Sequence, residues 1–166
     1  MNRPKKLRAG KEIYAVEITA ESNFREIFRF VSKNRDNLED WFPGVGETIR
    51  DIRAMKDEFS KPENCLVYLF GIYYRGEMAG LMWINGDREN PGAEIGYWLD
   101  PDYWGLGIMT RCVKCACVFC FCYLTLKVVY ARVKPGNERS MSVLIQNNFR
   151  KAKAANSRKL WFCKSI

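Results

Sequence analysis

Residues 98–110, between a predicted strand and a predicted helix, have the composition of an anion-binding loop. Pro101 blocks continuation of the strand, and Gly105 and Gly107 precede an apolar run that begins at Ile108. Glycines let the backbone approach a ligand closely, and free N–H groups at a helix start attract phosphate or pyrophosphate. Thr110 stands where the G-x-G-x-x-G pattern requires glycine, and G-x-x-x-x-G-K-[ST] does not fit either. The residues alone leave an ordinary strand–helix turn as an equal alternative.

Cysteine is the other residue type with potential chemistry. Five of the seven cysteines lie within residues 112–126 and include two CxxC spacings. On a helix, at about 100° per residue, these five side chains point in several directions, and the two pairs are too close together in sequence for a zinc site. We expect small apolar residues of a buried helix rather than a metal or dithiol centre. The chain contains no histidine, so acid–base chemistry falls to other side chains or to water.

The segment AEIGYWLDPDYWGLGIMT (93–110) resembles the signature of the GNAT superfamily of N-acetyltransferases, specifically its RimJ/RimL-like branch. Three further segments resemble that branch in the same order: KNRDNLEDWFP, GEMAGLMWI and VKPGNERSMSVLIQNNF. The resemblance covers about residues 10–150. It implies the GNAT fold, acetyl-CoA as co-substrate, no metal, and transfer of the acetyl group to an amine.

The resemblance implies a set of residues that contact acetyl-CoA. A splayed strand would pair its backbone with the pantetheine arm. The loop that contains Gly105 and Gly107, here called the glycine loop, would bind the pyrophosphate. Trp104 replaces the Gln or Arg of the family pattern, which loses a side-chain contact but leaves the backbone cradle. The implied residues are Tyr97, Trp98 and Leu99 on the strand, Trp104, Gly105, Leu106, Gly107, Ile108, Met109 and Thr110 in the loop and helix start, and Asn137.

The resemblance also implies direct attack of the amine on the thioester in a ternary complex. Glu94 is the expected general base, because it stands in an otherwise apolar strand; pairing with a nearby Arg or Lys, or exposure to solvent, is the alternative. The resemblance implies Ser140 as the acid, because the RimL-like branch carries a serine three residues after the asparagine, which is Asn137 here. Many members carry a tyrosine seven residues after that asparagine, and this chain has Leu144 there. The alternative for Ser140 is a hydroxyl that caps the first turn of a helix. Trp41 is expected to line the acceptor site, with a core position as its alternative.

The resemblance implies that the acceptor is the N-terminal amine of a protein, as in the acetylation of ribosomal proteins. A small amine, a polyamine or an aminoglycoside is an alternative acceptor, and a homodimer is an open alternative for the assembly. A second hypothesis is a CoA-binding domain without turnover, motivated by Leu144, Trp104 and the short tail. A third is a ribosome- or RNA-binding module that uses the basic ends of the chain. No membrane or DNA partner is expected.

The elements around these residues predict a single domain of α+β layered class. The pattern is a strand meander followed by a β-α-β unit, which makes a mixed, mostly antiparallel sheet flanked by about four helices. Residues 1–10 are interpreted as a basic N-terminal extension and residues 149–166 as a short, atypical basic tail. Strands are predicted at 11–19, 65–74, 78–85, 93–99 and 126–133, and helices at about 22–38, 48–59, 108–123 and 138–146. The tail from Phe149 is ambiguous, and one interpretation is a strand, a basic loop and a last short strand at 159–164.

Composition and charge agree with one such domain. The 166 residues are 48% hydrophobic and 14% aromatic, enough to bury a sizeable core. The net charge of +8 is concentrated at residues 1–11 and 139–166, which carry bases and no acids. We expect solvated basic ends, with attraction to an anionic ligand or a ribosomal partner as the alternative. A signal peptide and a membrane-length apolar run are both missing, which predicts a cytoplasmic location.

Overall fold

The computed structural model describes residues 4–19, 22–41, 65–87, 91–152 and 159–166. The predicted helix near residues 48–59 lies outside these ranges. In chain order the elements are β1 Lys6–Arg8, β2 Ile13–Glu17, α1 Phe24–Lys33, α2 Arg35–Trp41, β3 Cys65–Tyr74, β4 Glu77–Asp87, β5 Gly92–Leu99, a 3-10 turn Pro101–Tyr103, α3 Ile108–Val118, a π-helical turn Phe119–Tyr123, β6 Val128–Val133, α4 Glu138–Gln146, β7 Arg150–Ala152 and β8 Leu160–Ser165.

Within the described residues the strands form one eight-stranded mixed sheet in the order β1-β2-β3-β4-β5-β6-β8-β7. Strands β5 and β6 pair in parallel through the crossover that contains α3, and the other neighbouring strands pair antiparallel. This arrangement confirms the predicted α+β class, with a meander followed by a β-α-β unit.

The sheet is covered on both faces because its central strands are apolar on both. In β3, Phe70 and Ile72 are buried against the cluster that includes α3, whereas Leu69 and Tyr73 pack towards the cluster that includes α1. Alternate residues of a strand point to opposite faces, so one continuous apolar run serves both layers.

The predicted helix at 22–38 is wrong in one respect, because it is two helices that meet at Asn34. Asn34 is buried, and its side-chain amide donates to the carbonyl of Phe30 at 3.1 Å and to the Oδ2 atom of Asp100 at 3.0 Å. Its backbone N–H is shared between the carbonyls of Phe30 and Val31. These bonds end α1, and α2 starts again at Arg35.

Helix α3 buries most of its cysteines, in agreement with their interpretation as packing residues. Burial raises the pKa of Cys112 and Cys120 to about 12 and that of Cys117 to about 11. The α-helix ends at Val118 and continues as a π-helical turn, whereas the sequence predicted one helix to residue 123. Within the described ranges, no group of three or more His, Cys, Asp or Glu side chains is placed to hold a metal ion.

Both ends of the chain contribute strands to the sheet. Residues 6–8, inside the predicted basic extension, form β1 and bury Leu7. The last strand, β8, pairs with β6 over six residues and buries Phe162. Of the helices that the structure describes, none has the length and apolar character needed to cross a membrane.

Candidate functional site

The sheet opens between its two parallel strands. Strands β5 and β6 pair only at their beginnings, from Gly92 with Val128 to Glu94 with Tyr130. Beyond that point β5 stays paired with β4 as far as Leu99, and β6 stays paired with β8. The two strands therefore diverge, and from residue 95 to residue 99 the edge of β5 that faces β6 has no strand partner among the described residues.

A cavity of about 960 Å³ occupies this opening. Its walls come from the diverging strands, the neighbouring β4, the loop after β5, the first turn of α3, and α4 along most of its length. Leu106 is not part of the wall and its side chain is 49% exposed. Trp41 is the last residue of α2, and its side chain lies outside the described part of the structure. The other predicted site residues line the cavity: Glu94, Tyr97, Trp98, Leu99, Trp104, Gly105, Gly107, Ile108, Met109, Thr110, Asn137 and Ser140.

The glycine loop leads into the start of α3, and both line this cavity. Gly105 and Gly107 adopt positive φ angles of 78° and 68°, which side chains rarely tolerate. A Cβ at either position would meet nothing within 4 Å, so these glycines are required by conformation and not by crowding. The backbone N–H of Arg111 bonds to the carbonyl of Gly107 at 3.3 Å, and the N–H groups at 108–110 are those that a helix start leaves without an internal partner. They can bind an anion, assisted by the helix dipole.

Asp100 fixes the loop at its beginning. Its Oδ2 atom accepts hydrogen bonds from Asn34 at 3.0 Å and from the Nζ atom of Lys33 at 3.2 Å, and its Oδ1 atom accepts the backbone N–H of Asp102 at 3.0 Å. Burial alone would raise the pKa of Asp100, but these hydrogen bonds together hold that pKa below its ordinary value. The end of α1 is thereby attached to the segment that leads into the glycine loop.

Trp104 follows this segment and has two partners. Its Nε1 atom donates to the carbonyl of Leu99 at 2.9 Å, which fixes the plane of the indole. The guanidinium carbon of Arg139, from the first turn of α4, lies 4.3 Å from the indole centroid. Arg139 also lines the cavity and was not predicted, because only the tertiary structure brings α4 beside the loop.

A pair of hydroxyl groups lies where β5 meets α4. The Oγ atom of Ser140 is 3.0 Å from the hydroxyl oxygen of Tyr97. Burial raises the pKa of Tyr97 to about 12, so its hydroxyl is protonated at neutral pH. Asn137 caps α4, since its side-chain oxygen accepts the backbone N–H of Ser140 at 3.1 Å. The cap that Ser140 could have supplied therefore comes from Asn137.

Glu94, the last residue of β5 that pairs with β6, forms an ion pair with Arg132, which lies two residues beyond the last paired position of β6. The Nε atom of Arg132 lies 2.7 Å from its Oε1 atom, which is the pairing that the sequence left as an alternative. The Glu94 side chain is 18% exposed, and both residues line the cavity. The guanidinium of Arg132 also lies 5.6 Å from the ring of Trp161. Arg132 was not predicted as a site residue. The available signal was its position as a charged residue within the otherwise apolar strand β6.

Trp83 is a further unpredicted residue of the cavity wall. It lies opposite Gly96 in the β4–β5 register, and a Cβ at position 96 would overlap its indole. Gly96 in the middle of an apolar strand was the available signal, because such a glycine often marks the close approach of another group.

Comparison with known proteins identifies the family. Residues 12–150 match the family model described as the acetyltransferase (GNAT) domain. Probable N-acetyltransferase YjcK of Bacillus subtilis is 33% identical over 159 residues, which span 86% of this chain and 82% of that protein. The match to the Bacillus subtilis protein YdaF is shorter: it is 35% identical over 74 residues and covers 44% of this chain and 40% of YdaF.

Two solved structures share the fold. RimL, a ribosomal alpha-N-protein acetyltransferase in complex with coenzyme A, superposes with a TM-score of 0.78 at 19% identity, covering 97% of this chain and 98% of RimL. The microcin self-immunity acetyltransferase MccE, in complex with acetyl-CoA and AMP, gives a TM-score of 0.72 at 20% identity, covering 98% of this chain and 97% of MccE. The family match over residues 12–150 and the split sheet agree, and this chain belongs to the GNAT acetyltransferase family.

Proposed function

We propose that this protein transfers the acetyl group of acetyl-CoA to the N-terminal amine of a protein. The opening between β5 and β6, which leads to the glycine loop and the start of α3, is the observation that carries this proposal. The names of RimL and MccE support the choice of acetyl-CoA, and that of RimL supports a ribosomal protein as the acceptor. Such an acceptor would agree with a cytoplasmic location.

The residues of the opening fit the three chemical parts of acetyl-CoA. The pantetheine arm is extended and contains amides, which can pair with the free backbone edge of β5 from residue 95 to residue 99. Its pyrophosphate suits the N–H groups at the start of α3. When bound, acetyl-CoA supplies the thioester carbon that the amine attacks.

Two proton transfers must accompany formation of the new bond from nitrogen to carbon. The amine loses a proton, for which Glu94 is the proposed acceptor, directly or through one water. The departing sulfur gains a proton, for which Ser140 is the proposed donor, and the hydroxyl of Tyr97 lies 3.0 Å away to replace it. Arg132 holds the carboxylate of Glu94 at the edge of the cavity.

The first experiment is a calorimetric titration with acetyl-CoA, followed by rate measurements with peptides that have a free N-terminus. We expect saturable binding to one site, and acetylation that stops when the peptide N-terminus is blocked. Polyamines and aminoglycosides assayed in parallel test the small-amine alternatives. The absence of binding at millimolar acetyl-CoA would contradict the proposal.

The proposed roles of Glu94 and Ser140 predict a specific kinetic result. Glu94→Gln and Ser140→Ala should each lower kcat by about a hundredfold or more, the usual contribution of general acid–base catalysis, and leave the Kd for acetyl-CoA nearly unchanged. Glu77→Gln is the matched control, because it makes the same change at an exposed residue of β4 outside the cavity. Unchanged kcat in the Glu94 variant would remove its assignment as base.

A domain that binds CoA without turnover is the second candidate. The ion pair of Glu94 with Arg132 favours it, because this carboxylate already has a charged partner, and so does Leu144, which is buried where many family members carry tyrosine. Tight binding of acetyl-CoA without acetylation of any amine tested would support this candidate over the enzyme.

A further inference from the structure

The loop before α3 has no cation of its own for a diphosphate. Between Leu99 and Arg111 the charged residues are Asp100 and Asp102, and Lys33 lies within 3.4 Å of a carboxylate oxygen of each. Arg111 is directed elsewhere, since a Cβ at Gly10 would lie 3.5 Å from its Nη1 atom, and it does not line the cavity. An anion at the loop would meet backbone N–H groups and no positive side chain from the loop itself.

Arg139 brings a positive charge to the same place from α4. Its guanidinium lies on the face of the Trp104 indole, and both side chains line the cavity. Among the described carboxylates, none forms an ion pair with Arg139. A planar guanidinium that stacks by its face keeps the N–H donors along its edges, and those edges match phosphate oxygens.

The position of Arg139 within α4 is unfavourable for a cation. It is the second residue of the helix after the cap Asn137, where the helix dipole disfavours positive charge. The indole face offsets part of this repulsion, and a bound anion would offset more. The position therefore points to a ligand and not to stabilisation of α4.

We propose that Arg139, held on Trp104, is the side-chain ligand of the pyrophosphate in this protein, and that Trp104 is the residue that positions it. The inference rests on the proposed function, because acetyl-CoA provides the pyrophosphate. The cation that this loop lacks at Trp104 is thus supplied from α4, 35 residues further along the chain.

The test is calorimetric titration of acetyl-CoA into wild type and Arg139→Gln at several salt concentrations. We expect the variant to bind about ten- to a hundredfold more weakly, as for loss of a charge-assisted hydrogen bond. We also expect its Kd to depend less steeply on salt, because one screened charge pair is gone. Trp104→Leu should weaken binding in the wild-type background and add little in the Arg139→Gln background.

Arg111→Gln is the matched control, since it removes the same charge from the first turn of α3 outside the cavity, and it should keep wild-type affinity. Wild-type affinity in Arg139→Gln, or weaker binding with an unchanged salt dependence, would overturn the inference. An effect of Arg139→Gln that disappears with dephospho-acetyl-CoA would also overturn it, since the partner would then be the 3′-phosphate. Failure of the wild type to bind acetyl-CoA would instead contradict the proposed function.

Discussion

Gly107 shows how much of the site depends on backbone conformation at single residues. Its φ of 68° turns the chain into α3, whose first three residues line the cavity, and a Cβ at this position would meet nothing within 4 Å. Gly76, in the turn between β3 and β4, has a φ of 90° and equally open space, but it lies outside the cavity. A side chain at either position would have to adopt a positive φ, and the two glycines differ in whether the residues that follow them line the cavity.

Gly107→Ala and Gly76→Ala should therefore have the same effect on stability and different effects on binding. Each should lower the free energy of unfolding by about 1 kcal/mol, the usual cost of a left-handed residue with a side chain. Only Gly107→Ala should raise the Kd for acetyl-CoA, because it distorts the start of α3. The Kd should rise by about tenfold for each 1.4 kcal/mol of binding free energy that is lost. Denaturant unfolding and calorimetry measure the two quantities. Equal affinity in both variants would show that the start of α3 is not the anion site.

At this scale the sequence predicted residue types better than contacts. The glycines of the loop could be identified because their types and spacing have a local physical meaning. The contact of Arg139 with Trp104 could not be predicted, since it joins residues 35 apart through the packing of α4 beside the loop. Ser140 was predicted by resemblance, whereas its hydroxyl partner Tyr97 became apparent only when β5 and α4 were placed together.

At the scale of elements, Asp100 attaches α1 to the loop that begins the site. The carboxylate is 3% exposed and accepts three hydrogen bonds, from Asn34, Lys33 and the backbone of Asp102. Because its pKa is lowered in the folded protein, the ionised form contributes stability above the unfolded pKa of about 3.9. That contribution is lost as the pH falls below this value and through the folded pKa.

Asp100→Asn should destabilise the protein by about 2 kcal/mol at pH 7, as expected for loss of hydrogen bonds to a buried charged acceptor. The difference from wild type should shrink as the pH falls from about 4, because the wild-type carboxylate then takes up its proton. Urea unfolding at pH 7, 5, 4 and 3 measures it. Asp102→Asn is the control, since that side chain is 74% exposed and should change stability little. A difference that stays constant down to pH 3 would contradict this account.

Elements that local sequence signals determine were predicted well, whereas those that depend on distant contacts were not. Strands β3, β5 and β6 and helix α4 were placed within a few residues, because their periodicity and turns are local signals. The break between α1 and α2 was missed, because Asn34 is held by Asp100, which is 66 residues away. The π-helical turn after α3 was missed for a similar reason: nothing in an apolar run distinguishes it from a continuing helix.

At the scale of the whole molecule, β8 is the central strand of the three that lie beyond the opening in the sheet. Strand β8 lies between β6 and β7, and β6 has only three paired residues with β5 on its other side. Phe162 of β8 is buried in the same cluster as α3, so β8 contributes a side chain to the main core.

Phe162→Ala should lower the free energy of unfolding by about 3–5 kcal/mol, the usual cost of truncating a buried phenylalanine. Unfolding should remain one cooperative transition that α3 and β8 share, monitored by denaturant titration with both far- and near-ultraviolet circular dichroism. Ile166→Ala is the control, because Ile166 is 84% exposed and should have an effect below about 0.5 kcal/mol. A separate early transition in the Phe162 variant would show that β7 and β8 form an independent unit.

At the opening between β5 and β6, the backbone edge of β5 has no strand partner among the described residues, and an extended molecule could pair with it. If acetyl-CoA binds there as proposed, it would take the place of a strand, and occupancy would add to stability by mass action, about 2.7 kcal/mol at a hundred times the Kd. The empty protein is then the form that opens more often and is cut more readily by proteases. The lifetime of this protein in a cell would follow the supply of its own co-substrate.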